Sequence, residues 1–160
     1  MTTQAKKVLN DLKQSYAMLE NEEDYTKFRV LWVAAITLAR AVGHILDKVD
    51  SKQSILMKTI IDKKWKNLKN NENRAENIIF FEFIENERNQ ILKEYEFGML
   101  SSPINVMIEG KDSVFTLNSC MYMPLQDGKY TGEDCRDVLA EAIIWWENYI
   151  NEINLAVLNV

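Results

Sequence analysis

The polar residues with the most chemical potential lie together between Glu85 and Tyr95, in a stretch that otherwise has the pattern of a core-forming helix. Arg88 falls among the apolar residues of this helix, where a permanent charge needs an anionic or hydrogen-bonding partner. Asn89 and Lys93 are four residues apart, so they share one helical face. In one interpretation Arg88 pairs with Glu85 or another carboxylate, while Asn89 and Lys93 are solvated.

The only histidine of the chain, His44, follows Arg40 by four residues on the second predicted helix. The two residues lie away from the main apolar seam of that helix, near Val33 and Ile36, which favours a pair at the surface or at an interface. A sharper hypothesis places His44 beside Arg88. It requires the second and fourth helices to be neighbours.

Arg88-Asn89 followed by three residues resembles the Arg-Asn-x-x-x-His motif of the HEPN superfamily, with Lys93 where the family has His. The order of elements over residues 10 to 155 is also similar, since a long apolar helix with an internal Arg precedes the motif helix. HEPN proteins are small helical bundles, and many are RNases of prokaryotic toxin and defence systems. In that family the Arg and His of two subunits form a composite cleft, where the His assists attack of an RNA 2′-hydroxyl on the neighbouring phosphate.

The resemblance implies a homodimer that binds RNA, and metal-independent cleavage as its reaction. Arg88 would stabilise the phosphate charge and Asn89 would orient the phosphate. Proton transfer would fall to Lys93 or His44. Lysine has a pKa of about 10.4 and is a poor general base, although it can hold a phosphate by charge. We therefore expect an RNA-associated protein or a degenerate RNase.

Other candidate sites have simpler interpretations. Basic residues surround Trp65 between Lys58 and Arg74, a combination that suits single-stranded nucleic acid, but a solvated helix end is favoured. Cys120 and Cys135 are expected to be small structural side chains, because two thiols and one His make neither a disulfide framework nor a zinc site. The sequence has no phosphate-binding Gly loop, nucleophile elbow or di-metal pattern, so no cofactor or metal is expected.

The elements that position these residues are mainly helices, because both prolines and most of the five glycines occur after residue 97. Apolar residues at helical spacing predict an antiparallel bundle of about five helices in one domain over residues 1–160. The helices are expected over Thr3–Glu20, Tyr25–Val49, Ser51–Leu68, Ala75–Phe97 and from Thr131, as N-cap with Asp134 reaching back, to about Leu158.

A small β-hairpin or meander is predicted before the last helix. Short β-branched and aromatic runs cover Val106–Ile108 and Val114–Met123, with Gly110-Lys111-Asp112 between them. Asp127-Gly128 has the composition of a tight turn. The second helix is apolar on two sides, which favours a central place in the bundle or an oligomer interface.

Composition limits the function classes. The net charge of −5 disfavours non-specific nucleic-acid binding but allows a local basic groove. The longest apolar region, from Val30 to Ala39, is shorter than a bilayer-spanning segment, and the first residues lack a secretory signal, so a cytoplasmic protein without a membrane partner is expected. The alternative to RNA is a non-catalytic module that docks a protein partner through its apolar helix face and β insertion. A third hypothesis, a small-ligand pocket between helices, has no specific residues.

Overall fold

The computed structural model describes residues 1–107, 110, 114–117 and 120–159. This part of the chain contains five α-helices and a two-stranded antiparallel sheet. The elements are α1 (Thr3–Glu20), α2 (Tyr25–Lys48), α3 (Ile55–Asn70), α4 (Asn86–Glu94), β1 (Ile104–Met107), β2 (Val114–Leu117) and α5 (Cys135–Leu158). The predicted mainly α bundle with a small hairpin before the last helix is therefore confirmed.

The core lies between α2 and the helices around it. Residues on two sides of α2 are buried. The side that carries Ile36, which is buried, and Val33, which is half-buried, is covered by other parts of the same chain. The stretch Tyr25–Gln53, which consists of α2 and the turn after it, is long and apolar enough to cross a membrane, with a mean hydropathy of 1.5 in an 18-residue window, a property that core helices share. Seven of its residues are buried in the bundle: Phe28, Trp32, Ala35, Ile36, Ala39, Val42 and Leu46.

The third predicted helix begins later than expected. A 3-10 turn occupies Asp50–Gln53, and α3 starts at Ile55, with the Ser54 side chain accepting a hydrogen bond from the first turn. The change has a structural cause in Asp50, which is fully buried. Its carboxylate accepts two backbone N–H groups at the start of α1, at 3.1 and 2.9 Å, and so caps a helix distant in sequence.

The prediction of one continuous α-helix over Ala75–Phe97 is wrong. A 3-10 turn at Ala75–Asn77 leads into a π-helical segment, Ile79–Glu85, and only then into α4, which ends before Tyr95 in the left-handed region (φ 54°). The wider π-helical turn places Phe80 at the centre of an aromatic cluster. The Phe80 ring centroid lies 5.5 Å from that of Trp65, 5.3 Å from Trp145 and 5.8 Å from Trp146.

The hairpin is shorter than predicted. β1 and β2 pair in a register that sets Val106 opposite Phe115, and β2 ends at Leu117 rather than at Met123. Cys120 and Met123 turn back into the core, where they are buried. The prediction also covers residues 108, 111, 112, 118 and 119, which lie outside the described residues.

The start of the last helix was assigned to the wrong residue. The N-cap of α5 is Asp134, whose side chain accepts the Arg136 N–H at 2.9 Å, whereas the Thr131 hydroxyl donates to the Gly128 carbonyl. Asp134 also accepts the Met123 N–H at 2.9 Å and the Arg136 guanidinium. The positive φ of Gly128 (76°) agrees with the predicted turn at that position.

Candidate functional site

A buried carboxylate fixes α4 against α2. Glu87 is only 4% exposed and accepts the Trp32 indole N–H at 3.3 Å. Burial raises the pKa of Glu87 above its usual range, and the hydrogen bonds from Trp32 and from the Gly98 backbone N–H oppose that increase. A Cβ at Gly98 would lie 2.0 Å from Glu87 Oε1, so any larger residue there would force the carboxylate to move. Arg88 is thereby positioned as the next residue of α4.

Arg88 is half-buried and bonds a neutral partner. Its Nη1 donates to Asn89 Oδ1 at 2.9 Å. The carboxylate proposed as its partner, Glu85, pairs instead with Arg40 at 3.5 Å. Within the described part of the chain, no carboxylate forms an ion pair with Arg88. Its charge is therefore available to an anion from outside the chain.

Arg40 brings a second guanidinium to the same region. Its side chain is 16% exposed and lies 5.5 Å above the centroid of the Phe80 ring. Burial lowers the pKa of Arg40, and the positive charge of Arg88 lowers it further, while Glu85 raises it. The guanidinium groups of Arg40 and Arg88 thus interact electrostatically, and the carboxylate of Glu85 pairs with Arg40.

His44, one turn after Arg40 on α2, is exposed and lies in the field of these cations. Its pKa is lowered first by desolvation and then by Arg40, Arg88 and Lys48, with Asp47 acting in the opposite direction. Because the ordinary value is about 6.5, a lowered pKa keeps the imidazole neutral at pH 7. The structure therefore brings His44 within electrostatic range of Arg88, and we call Arg40, His44 and Arg88 the basic cluster.

The other two motif residues have different positions. Asn89 is half-buried and orients the Arg88 guanidinium through the hydrogen bond described above. Lys93 is exposed near the end of α4, and no hydrogen bond or ion pair among the described residues joins it to the basic cluster. The positive charge of Arg88 lowers the pKa of the His44 imidazole on α2 after desolvation and Arg40.

A cavity of about 220 Å³ opens beside the basic cluster, and we call it the first cavity. It has aromatic walls and a polar mouth, formed in part by Arg40, Gly43, His44, Trp65, Trp146 and Tyr149. A Cβ at Gly43 would lie 3.0 Å from Trp146 Cη2, so the small residue lets α5 approach α2 closely. Arg88 and Lys93 are not among its lining residues. The lining also includes the carboxylates of Asp47 and Asp62, so it carries both signs of charge, and its aromatic walls suit a ligand with a flat apolar part.

The basic run on α3 is mostly a solvated helix face, as favoured from the sequence. Lys58, Lys63 and Lys66 are exposed, and Lys64 pairs with Glu152 of α5. Lys69 lies 5.2 Å above the Trp65 ring. Among the described residues, no group of three His, Cys, Asp or Glu side chains is placed to hold a metal ion.

Sequence reasoning missed Glu87, Gly98 and the ion pair between Arg40 and Glu85. Nothing in the apolar periodicity marks Glu87 as buried, since it lies in a polar run. Gly98 directly follows the predicted fourth helix, and a glycine in that place indicates the end of a helix rather than a contact with a carboxylate. Arg40 was noted for its spacing to His44, but its carboxylate partner comes from another helix, and no local signal predicts such a contact.

No protein-family model, characterised protein or solved structure matches this chain.

Proposed function

We propose that this protein is a HEPN-like RNA-binding protein in which the basic cluster holds a backbone phosphate. The observation that carries the proposal is that Arg40 and His44 line one cavity, while the positive charge of Arg88 acts on both of them. Arg88 has no carboxylate partner in the described part of the chain, and an unpaired guanidinium binds phosphate oxygens through paired N–H donors.

The aromatic walls of the first cavity support a single-stranded ligand. Trp65 and Tyr149 lie next to Arg40 and His44 in the same lining. Bases of a single strand stack on aromatic side chains while cations contact the backbone, a combination that tolerates any sequence. A duplex offers no free base faces, so we propose single-stranded RNA as the ligand.

The same cluster supports metal-independent cleavage of the bound strand. In this proposal neutral His44 accepts the proton of a ribose 2′-hydroxyl, and the 2′-oxygen forms a bond to the adjacent phosphorus. Arg88 and Arg40 stabilise the negative charge on the phosphate oxygens. The bond from phosphorus to the 5′-oxygen breaks, and water protonates that oxygen. The products are a 2′,3′-cyclic phosphate and a 5′-hydroxyl.

Binding is tested by fluorescence anisotropy with a labelled single-stranded RNA at several salt concentrations. Arg88→Gln removes one phosphate contact and should weaken binding about tenfold, with a salt slope lower by about 0.7. Lys7→Gln, an exposed residue of α1, is the control with the same change of charge. Equal affinities for wild type, Arg88→Gln and Lys7→Gln would contradict the proposal.

Cleavage is tested separately, in the presence of a metal chelator. His44→Gln should remove formation of the cyclic phosphate while leaving RNA affinity within about twofold, since general-base catalysis contributes about 10² to 10⁴ to a rate. Lys93→Gln should retain cleavage, because Lys93 lies outside the basic cluster. Loss of cleavage in Lys93→Gln but not in His44→Gln would assign the proton transfer to lysine instead.

A second candidate function, docking of a protein partner, is favoured by the hairpin. Val106, Met107, Val114 and Phe115 are all exposed on it, with Phe115 at 53%. If this surface docks a partner, Phe115→Ser abolishes capture of that partner and leaves RNA affinity unchanged. The resemblance also makes a homodimer in the cytoplasm part of the proposal. Sedimentation equilibrium of the purified chain tests the homodimer.

A further inference from the structure

Three lysines form a row on the solvent side of α3, and we call Lys58, Lys66 and Lys69 the lysine row. Their spacing along the chain places them on one face of the helix. All three side chains are exposed. No carboxylate in the described ranges forms an ion pair with any of them. Their charges are therefore available to an anion from solution.

The charge on this side of α3 differs from that of the rest of the chain. Lys63, which is also exposed, lies three residues before Lys66, and Asp62 is the only acidic residue within α3. The lysine row, Lys63 and Asp62 together carry a net charge of +3, although the chain as a whole carries −5. Positive charge collected on one helix face of an acidic protein is typical of a surface that binds a polyanion.

The lysine row borders the first cavity. Asp62 and Trp65, which lie between Lys58 and Lys66 along α3, both line that cavity. The Lys69 Nζ lies 5.2 Å from the centroid of the Trp65 ring. A base stacked on Trp65 would therefore have the phosphate next to it within reach of Lys69. The lysine row thus continues the site that is proposed around the basic cluster and the first cavity.

The lysine row is long enough to contact several nucleotides. The helical rise of about 1.5 Å per residue puts Lys69 roughly 17 Å beyond Lys58. At about 3.4 Å per phosphate along a stacked strand, this distance spans about five phosphates. Lysine contacts a phosphate as a point charge on a flexible stem, so the row can follow a backbone without selecting a sequence.

We infer that the lysine row binds the backbone of the RNA strand where the strand continues beyond the first cavity. The inference rests on the proposed function, since that function supplies the strand held at the basic cluster. An anionic membrane would meet the same charges, but a helix that binds a membrane surface needs a free apolar face. The apolar residues Met57, Ile61 and Leu68 of α3 are instead buried in the bundle, which favours the strand.

The experiment compares a labelled tetranucleotide with a dodecanucleotide by fluorescence anisotropy over a series of salt concentrations. Both carry 2′-O-methyl ribose, so the proposed reaction cannot cleave them. The triple variant Lys58→Gln/Lys66→Gln/Lys69→Gln should weaken binding of the dodecanucleotide about tenfold and lower its salt slope by about 2, since each lost phosphate contact removes about 0.7. The slope for the tetranucleotide should fall by no more than about 0.7, because four nucleotides held at the basic cluster reach at most one lysine of the row.

The control variant Lys6→Gln/Lys7→Gln/Lys27→Gln removes three exposed lysines of α1 and α2 and should bind both oligonucleotides as the wild type does. If the two triple variants bind the dodecanucleotide equally while Arg88→Gln still weakens both oligonucleotides, the lysine row is overturned and the proposed function stands. If binding of the dodecanucleotide depends on the lysine row but no binding depends on Arg88, the lysine row stands and the phosphate site at the basic cluster fails. If the row is needed for binding phosphatidylserine vesicles and not for binding the dodecanucleotide, the partner is a membrane and the inference is overturned.

Discussion

Gly98→Ala tests whether Glu87 is what positions the helix that carries Arg88. The new Cβ would lie 2.0 Å from Glu87 Oε1 and 3.0 Å from its Cδ. The carboxylate therefore has to move by more than about 1 Å to reach an ordinary contact distance, and this movement disturbs the hydrogen bond that its other oxygen, Oε2, accepts from the Trp32 indole N–H at 3.3 Å. The backbone of Gly98 does not have a positive φ, so the methyl group itself adds no conformational strain.

The cost follows from the groups involved. A hydrogen bond to a charged group contributes about 1.5 to 3 kcal/mol, and the displaced carboxylate stays in a buried setting. We expect Gly98→Ala to lower the free energy of unfolding by about 3 kcal/mol. For a chain of this size that corresponds to a decrease of about 6–12 °C in Tm. Urea denaturation of the wild type and the variant measures it.

A double-mutant cycle with Glu87→Ala shows whether the cost comes from that contact. In the Glu87→Ala background the oxygen is absent, so Gly98→Ala should cost less than about 0.5 kcal/mol, which leaves a coupling free energy of about 2.5 kcal/mol. If Gly98→Ala costs the same in both backgrounds, the Glu87 contact is not the reason for the glycine. Arg88-dependent RNA affinity should fall in the single variant, because α4 loses its anchor to α2.

Three further predictions follow from the same structure. Because the pKa of Glu87 is raised in the folded state, the side chain contributes most to stability at low pH, and this contribution is lost as the pH rises through the folded-state pKa. Glu87→Gln should therefore remove that part of the pH dependence of the free energy of unfolding. Since His44 is the only histidine, its ring protons can be followed by NMR without ambiguity: its pKa should rise in Arg88→Gln and also when phosphate binds, and an unchanged titration would contradict the basic cluster. Asp50→Ala should cost about 2 kcal/mol of unfolding free energy by removing the cap of α1, whereas the exposed Asp47→Ala should cost little.

The helices could be predicted wherever apolar spacing alone determines them. α1 has the predicted bounds, and α2 ends one residue before the predicted end. The predictions were wrong where a distant group competes with the local pattern. Asp50 caps α1, and the residues after it form a 3-10 turn where the third helix was predicted to begin. Asp134 replaces Thr131 as the N-cap of α5, and it also accepts the Met123 N–H. The π-helical segment Ile79–Glu85 was also not predicted, because its residues have the apolar pattern of an ordinary α-helix.

The candidate site divides in the same way. The sequence by itself singled out Arg88, Asn89, Lys93 and His44 as chemically distinctive, because residue type and spacing are local properties. Only the tertiary structure determined that the charge of Arg88 acts on His44 together with that of Arg40. It also determined that Glu85 pairs with Arg40 and that Lys93 is exposed to solvent. Periodicity reports which side of a helix is apolar, but the partner of each polar side chain depends on which helices pack together, and that is set by the buried contacts of the whole chain.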